Sequence, residues 1–149
     1  RKPADVEALL EELDRLGADR LGLVIKVETK KGFKRLPKII LTAMRRYPIA
    51  VMIARGDLAV ECGWTRLADL QKEILWTCDA ARVPVMWATQ VLEQEAKKGL
   101  PSRAEITDAA ESQRADCVML NKGPHILAAI RTLDSILSRM QHLRESKTS

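Results

Sequence analysis

Lys26 and Glu28 place an ammonium and a carboxylate two residues apart at the end of an apolar run. Residues i and i+2 of an extended strand share a face, so both side chains point the same way. A second carboxylate, Asp57, follows the next apolar run along the chain. Two carboxylates beside a fixed ammonium suit a hard divalent cation such as Mg²⁺. They also suit chemistry that develops anionic charge, namely phosphoryl transfer or enolate formation.

Two further apolar runs end in polar groups. The third ends in Thr89 and Gln90, and the fourth ends in the Asn-Lys-Gly sequence of residues 121–123. These residues also fit structural roles. Lys26 and Glu28 could form an ion pair at the rim, Asp57 could cap a helix or turn, and Gly56 could supply an unusual backbone angle. A polar group at each of four successive strand ends favours a functional site over four separate structural roles.

Four short apolar strands alternate with amphipathic helices. The predicted strands are Leu21–Val27, Ile49–Ala54, Val83–Thr89 and Asp116–Leu120. The predicted helices are Pro3–Gly17, Gly32–Tyr47, Trp64–Ala81, Ser102–Gln113 and Ile126–Leu143, followed by a frayed polar tail over 144–149. Pro37 is expected in the first turns of its helix or at a bend. Ser102 and Glu105 fit a capping box.

Apolar strands separated by helices indicate an α/β fold with a parallel sheet covered on both faces. One strand per roughly 30 residues matches the size of a βα unit. An open doubly wound sheet and a TIM barrel both use this unit, so the rhythm alone does not separate them. In either fold, functional groups gather at the carboxyl ends of the strands.

The composition narrows the class of protein. The 149 residues are 46% apolar and 30% charged, which fits one globular domain without a membrane partner. Three widely spaced cysteines argue against a zinc site and favour the cytoplasm. The net charge of +5 includes a basic cluster over residues 30–38 that could bind nucleic acid or another polyanion. Without interleaved aromatics it fits a solvated helix face better, so no nucleic-acid partner is expected.

Five motifs, in order and at these separations, resemble the second half of the catalytic barrel of pyruvate kinase. They are IKVET followed by Gly32, MIARGDLAVE, PVMWATQVLE, PSRAEITDAA and ADCVML. The resemblance runs from Arg1 to Leu120. It implies four consecutive βα units, a half barrel made of strands five to eight of a TIM barrel. Residues 1–149 would then form a single partial domain of a longer polypeptide.

The resemblance implies a role for each polar group. Lys26 would neutralise charge on the transferred phosphoryl group and on the nascent enolate. Glu28 and Asp57 would hold the divalent metal, Mg²⁺ or Mn²⁺, that bridges phosphoenolpyruvate. The backbone N–H groups of Gly56 and Asp57 would bind the substrate carboxylate, and Thr89 would line the same pocket near the face where the enolate is protonated.

The implied enzyme is cytoplasmic and transfers phosphate from phosphoenolpyruvate to ADP, giving pyruvate and ATP. Its K⁺ ligands and phosphate-gripping arginine would lie outside this chain, so the chain alone is expected to be inactive. Asn121 begins a segment where the family usually has a Ser-Gly-Glu-Thr-like turn. Two alternatives remain open: a lyase or aldolase acting through pyruvate enolate on the same barrel, and a non-catalytic module.

A half barrel leaves two open sheet edges. We therefore expect a homo-oligomer, in which two copies could close an eight-stranded barrel about a two-fold axis. Local rearrangement that shields the edges is the alternative.

Overall fold

The computed structural model describes residues 1–18, 20–46 and 48–148, and strands alternate with helices along them. The strands are β1 (Leu23–Val27), β2 (Ile49–Ala54), β3 (Val85–Val91) and β4 (Cys117–Leu120). The helices are α1 (Pro3–Arg15), α2 (Lys30–Lys34), α3 (Leu36–Ala43), α4 (Arg55–Cys62), α5 (Trp64–Ala80), α6 (Glu93–Lys98), α7 (Arg103–Glu111) and α8 (Ile126–Thr148). A short 3₁₀ turn, Ser112–Arg114, precedes β4.

The strands form one parallel sheet in the order β1-β2-β3-β4, which confirms the predicted α/β fold with consecutive parallel strands. β1 pairs with β2 in a register that places Lys26 opposite Met52 and Val27 opposite Ile53. This pairing brings the carboxyl ends of the two strands to the same edge of the sheet. The position of these strands within a complete barrel stays a prediction.

The chain divides into two compact units, Arg1–Met86 and Trp87–Ser149, each with its own buried apolar residues. In the first unit, the helical spacing of Leu70, Ile74 and Cys78 forms the buried stripe of α5, as the sequence predicts. In the second unit, Trp87 is 1% exposed and its indole N–H donates to Asp108 Oδ1 at 3.3 Å.

Two predicted helices differ from the observed ones. The second is broken at Arg35 into α2 and α3, and Pro37 lies in the first turn of α3, where its missing N–H costs nothing. Its predicted end, Tyr47, lies outside the described residues.

The last helix was predicted to end at Leu143 and to be followed by a frayed tail. It instead continues through Thr148, supported by a Gln141–Glu145 side-chain hydrogen bond of 3.0 Å at i,i+4 spacing. Residue 149 lies outside the described part of the chain. In the described ranges, no helix combines the length and the apolar character needed to cross a bilayer.

Candidate functional site

Lys26 and Glu28 form an ion pair at the carboxyl end of β1. Lys26 Nζ lies 2.7 Å from Glu28 Oε2, and both side chains are partly exposed, at 49% and 39%. The alternation of side chains along a strand accounts for this contact. Lys26 is the last but one residue of β1, and Glu28 is the first residue after the strand, so the two lie at i and i+2 on the same face.

Asp57 joins this pair from the neighbouring strand–helix junction. It lies in the first turn of α4, which begins immediately after β2. Asp57 Oδ2 lies 3.5 Å from Lys26 Nζ, so one ammonium contacts two carboxylates. The structure therefore brings together the three charged residues that the sequence singles out in the first unit.

The contact with Lys26 shifts the protonation equilibria of the pair. The pKa of Glu28 is held below its usual range, chiefly by the hydrogen bond from Lys26, then by the charges of Lys26 and Arg1. The pKa of Lys26 is raised, first by the hydrogen bond to Glu28 and also by the charges of Glu28 and Asp57, against a smaller opposing effect of burial. Both groups are therefore charged at neutral pH.

The Arg-Gly-Asp sequence starts α4. Arg55 is 8% exposed, whereas the carboxylate of Asp57 is 54% exposed. The residue before the helix, Ala54, provides no side-chain cap. The backbone N–H groups of Gly56 and Asp57 lie at the positive end of the α4 dipole, where a carboxylate or another anion is stabilised.

The donor set fits a divalent cation that keeps much of its hydration shell. Glu28 and Asp57 offer two carboxylates within 3.5 Å of the same nitrogen, and both are partly exposed to water. Within residues 1–18, 20–46 and 48–148, no three His, Cys, Asp or Glu side chains lie close enough to hold a metal together. Mg²⁺ is usually bound through one or two carboxylates plus water and substrate, so two ligands are sufficient.

Thr89 belongs to the second unit and has a strained backbone. Its φ is 68°, Gln90 has φ 61° and Leu92 has φ 46°, all in the left-handed region that β-branched and bulky residues rarely adopt. Such strain costs about 1–3 kcal/mol per residue and is concentrated at functional sites. The prediction that the third strand ends at Thr89 is corrected, since β3 continues to Val91.

Glu93, which sequence reasoning missed, accepts hydrogen bonds from three directions. Lys97 Nζ donates to Glu93 Oε1 at 2.6 Å, and Asn121 Nδ2 donates to the same oxygen at 3.0 Å. These bonds, with one from Gln90, lower the pKa of Glu93, and the bond from Lys97 contributes most. Glu93 thereby ties the residue after β4 to the segment that follows β3. The i,i+4 spacing of Glu93 and Lys97 was the available signal.

Comparison with known proteins identifies the family of this chain. The profile of the family described as "Pyruvate kinase, barrel domain" matches residues 1–124. The chain belongs to the pyruvate kinase family.

Several curated pyruvate kinases are similar to this chain. The enzyme of Thermotoga maritima is 37% identical over 142 residues, covering 91% of this chain and 29% of that protein. The enzyme of Mycobacterium tuberculosis is 35% identical over 147 residues, covering 95% and 30%. A pyruvate kinase of Kluyveromyces lactis is 32% identical over 139 residues, covering 89% and 26%. The chain thus spans about three tenths of the length of the curated relatives it matches.

The segment that follows β4, residues 121–125, is tightly packed against α6. A Cβ on Gly123 would lie 2.1 Å from the backbone oxygen of Ala96. The His125 N–H donates to that same oxygen at 2.9 Å. Gly123 is therefore needed because the backbones of residues 123 and 96 approach too closely to admit a side chain.

Proposed function

We propose that this chain forms part of a pyruvate kinase that transfers the phosphoryl group of phosphoenolpyruvate to ADP, giving pyruvate and ATP. The observation that carries the proposal is the single ammonium of Lys26 in contact with the carboxylates of Glu28 and Asp57. Family membership supports this reaction over the lyase or aldolase alternative.

In this proposal Glu28 and Asp57 hold Mg²⁺ or Mn²⁺. When bound, the cation would stabilise negative charge on the phosphoryl and enolate oxygens. The raised pKa of Lys26 keeps its side chain protonated, so the ammonium supplies a second fixed positive charge. A fixed charge of this kind favours the enolate, because the surrounding groups need no reorganisation as negative charge develops.

The remaining roles follow the family resemblance. The N–H groups of Gly56 and Asp57 bind the substrate carboxylate at the start of α4, where the helix dipole favours an anion. By the same resemblance, Thr89 would take part in the protonation of the enolate. K⁺ is required, with ligands contributed from outside these residues, and the chain alone does not complete the reaction. We assign the enzyme to the cytoplasm, which fits the free thiols of Cys62 and Cys117.

The test uses oxalate, a dianion with the shape and charge of the enolate of pyruvate. Isothermal titration calorimetry should show that oxalate binds the Mn²⁺-loaded chain at least roughly tenfold more tightly than the metal-free chain. Lys26→Met should weaken this binding roughly tenfold, since one charge-assisted contact is lost. The control, Lys72→Met, removes an exposed lysine of α5 and should leave it unchanged. Equal oxalate binding with and without Mn²⁺ would contradict the proposal.

A non-catalytic role is the second candidate, and Asn121 is the observation that favours it. Its amide donates to Glu93 at 3.0 Å, and the family resemblance would imply a serine hydroxyl at this position. Assay of the enzyme that contains this chain with phosphoenolpyruvate, ADP, Mg²⁺ and K⁺ separates the two. Pyruvate formation that Lys26→Met abolishes supports the kinase, whereas Mn²⁺ binding without turnover supports the non-catalytic module.

A further inference from the structure

A concave surface lies beside the start of α2, within the first unit. It has a volume of about 420 Å³, within the range of small-molecule sites. We call it the α2 groove. Its lining residues are Arg1, Thr29, Lys30, Lys31, Lys34 and Glu61. None of them is Lys26, Glu28 or Asp57, so the α2 groove shares no residue with the proposed metal site, although it adjoins it through Thr29 and through the charge of Arg1 on Glu28.

The charge of the α2 groove is strongly positive. Four of its six lining residues are cationic and one is acidic. That acid, Glu61, already accepts a hydrogen bond from the backbone N–H of Lys30 at 3.2 Å. In the part of the chain that the structure describes, the ammonium groups of Lys30, Lys31 and Lys34 have no ion-pair partner. Lys30 and Lys34 lie at i,i+4 spacing on α2, where like charges repel. An anion in the groove would relieve this repulsion.

The base of the α2 groove is fixed in place. Thr29 is 6% exposed, and its hydroxyl accepts the N–H of Gly32 at 3.1 Å, which caps α2. The Thr29 carbonyl accepts the N–H of Phe33 at 2.9 Å. The lysines therefore extend from an anchored turn, which lowers the entropic cost of holding them around a ligand.

We propose that the α2 groove binds a small ligand that carries two or more phosphate groups. Lysine ammonium groups bind phosphate oxygens as compact point charges, and three lysines line this space of small-molecule size. No aromatic side chain lines the groove to stack a base, which argues against a single-stranded nucleic acid.

The proposal is tested by titrating inorganic pyrophosphate into the chain in EDTA and following binding by calorimetry. Because divalent ions are removed, the result does not depend on the metal site, and failure here leaves the proposed kinase function standing. The test variant is the double substitution Lys30→Gln with Lys34→Gln. The control with the same loss of charge is Lys38→Gln with Lys72→Gln, on α3 and α5.

We expect saturable binding that the test variant weakens roughly tenfold and the control weakens less than about twofold. Sulfate, with one anionic centre, should bind more weakly than pyrophosphate. Circular dichroism melting reports whether each variant is folded. If the double variant is unfolded, the single substitution Lys31→Gln replaces it, and its affinity for pyrophosphate should fall a few fold.

Three results would overturn the proposal. The first is the absence of saturable pyrophosphate binding. The second is an equal loss in the test and control variants, which would show a general charge effect. The third is a short single-stranded RNA that binds more tightly than pyrophosphate and is lost in the test variant, which would assign the surface to nucleic acid.

Discussion

The side chains of Lys26 and Glu28, two residues apart at the end of β1, are joined by an ion pair of 2.7 Å. The same nitrogen lies 3.5 Å from a carboxylate oxygen of Asp57, which follows β2. Two acids from neighbouring strand–helix junctions are thus held together by a single positive charge. In the proposed function, a divalent cation would bind both acids and leave the ammonium for a substrate anion.

This ion pair predicts a pH dependence of stability. Because the pKa of Glu28 is lower in the folded chain than in the unfolded one, its contribution is present above about pH 4.3 and is lost as the pH falls through the folded value. Lys26 has a raised pKa, so its contribution is present below about pH 10.4 and is lost as the pH rises through the folded value. Urea unfolding between about pH 7 and pH 3 should show that the free energy of unfolding falls less on acidification in Glu28→Gln than in the wild type.

Lys26→Met should reduce this fall in the free energy of unfolding in the same way, because the hydrogen bond from Lys26 is the main cause of the lowered pKa of Glu28. Glu7→Gln, an exposed substitution on α1, is the control and should retain the wild-type fall. A fall in Lys26→Met equal to that of wild type would show that the pair does not contribute.

Gly123 predicts a stability effect in the second unit. Gly123→Ala places a Cβ 2.1 Å from the Ala96 oxygen, so the backbones must separate at a cost of about 1–3 kcal/mol. Gly22→Ala is the matched control, since its Cβ would meet only the Pro48 oxygen at 3.7 Å. Urea-induced unfolding measures both. Equal changes in the free energy of unfolding would mean that the close approach does not hold in solution.

Glu93 is predicted to hold the left-handed segment after Thr89. Glu93→Ala removes the acceptor for Lys97 and Asn121, so backbone amides of residues 90–92 should exchange with deuterium faster. Glu111→Ala breaks an ion pair of 3.1 Å with Arg114 in the same unit and is the control. Unchanged exchange at residues 90–92 in Glu93→Ala would show that the strained backbone is held by other contacts.

The edge strands predict self-association. β1 and β4 are the edges of the sheet, and Val24 on β1 is 50% exposed. Light scattering should give a mass above 16.7 kDa for the wild type. Val24→Lys should lower the mass towards that of a monomer, whereas Leu41→Lys on the exposed surface of α3 should not. A wild-type monomer at micromolar concentration would refute the prediction.

The sequence predicts the parts of this structure that depend on local periodicity. Strand alternation places Lys26 and Glu28 on one face, and the shared polarity of parallel strands places Asp57 near them. The Ser102–Glu105 capping box is also confirmed, with both reciprocal bonds present.

Features that depend on contacts distant in sequence were not predictable. Thr89 has no local signal for a left-handed backbone, because threonine normally favours extended structure. The need for Gly123 appears only when Ala96 packs against it, 27 positions earlier in the chain. Trp64 and Trp76, although large and apolar, are 73% and 64% exposed, because they lie outside the buried stripe of α5.

The most direct test of the proposed site is the titration of Mn²⁺ into the chain, followed by electron paramagnetic resonance of the free ion. The wild type should bind one Mn²⁺, and Glu28→Gln and Asp57→Asn should each weaken binding at least roughly tenfold. Glu12→Gln, which removes an ion-paired carboxylate on α1, should bind as the wild type does. Mn²⁺ binding that is negligible, or that survives both Glu28→Gln and Asp57→Asn, would contradict the assignment of this site.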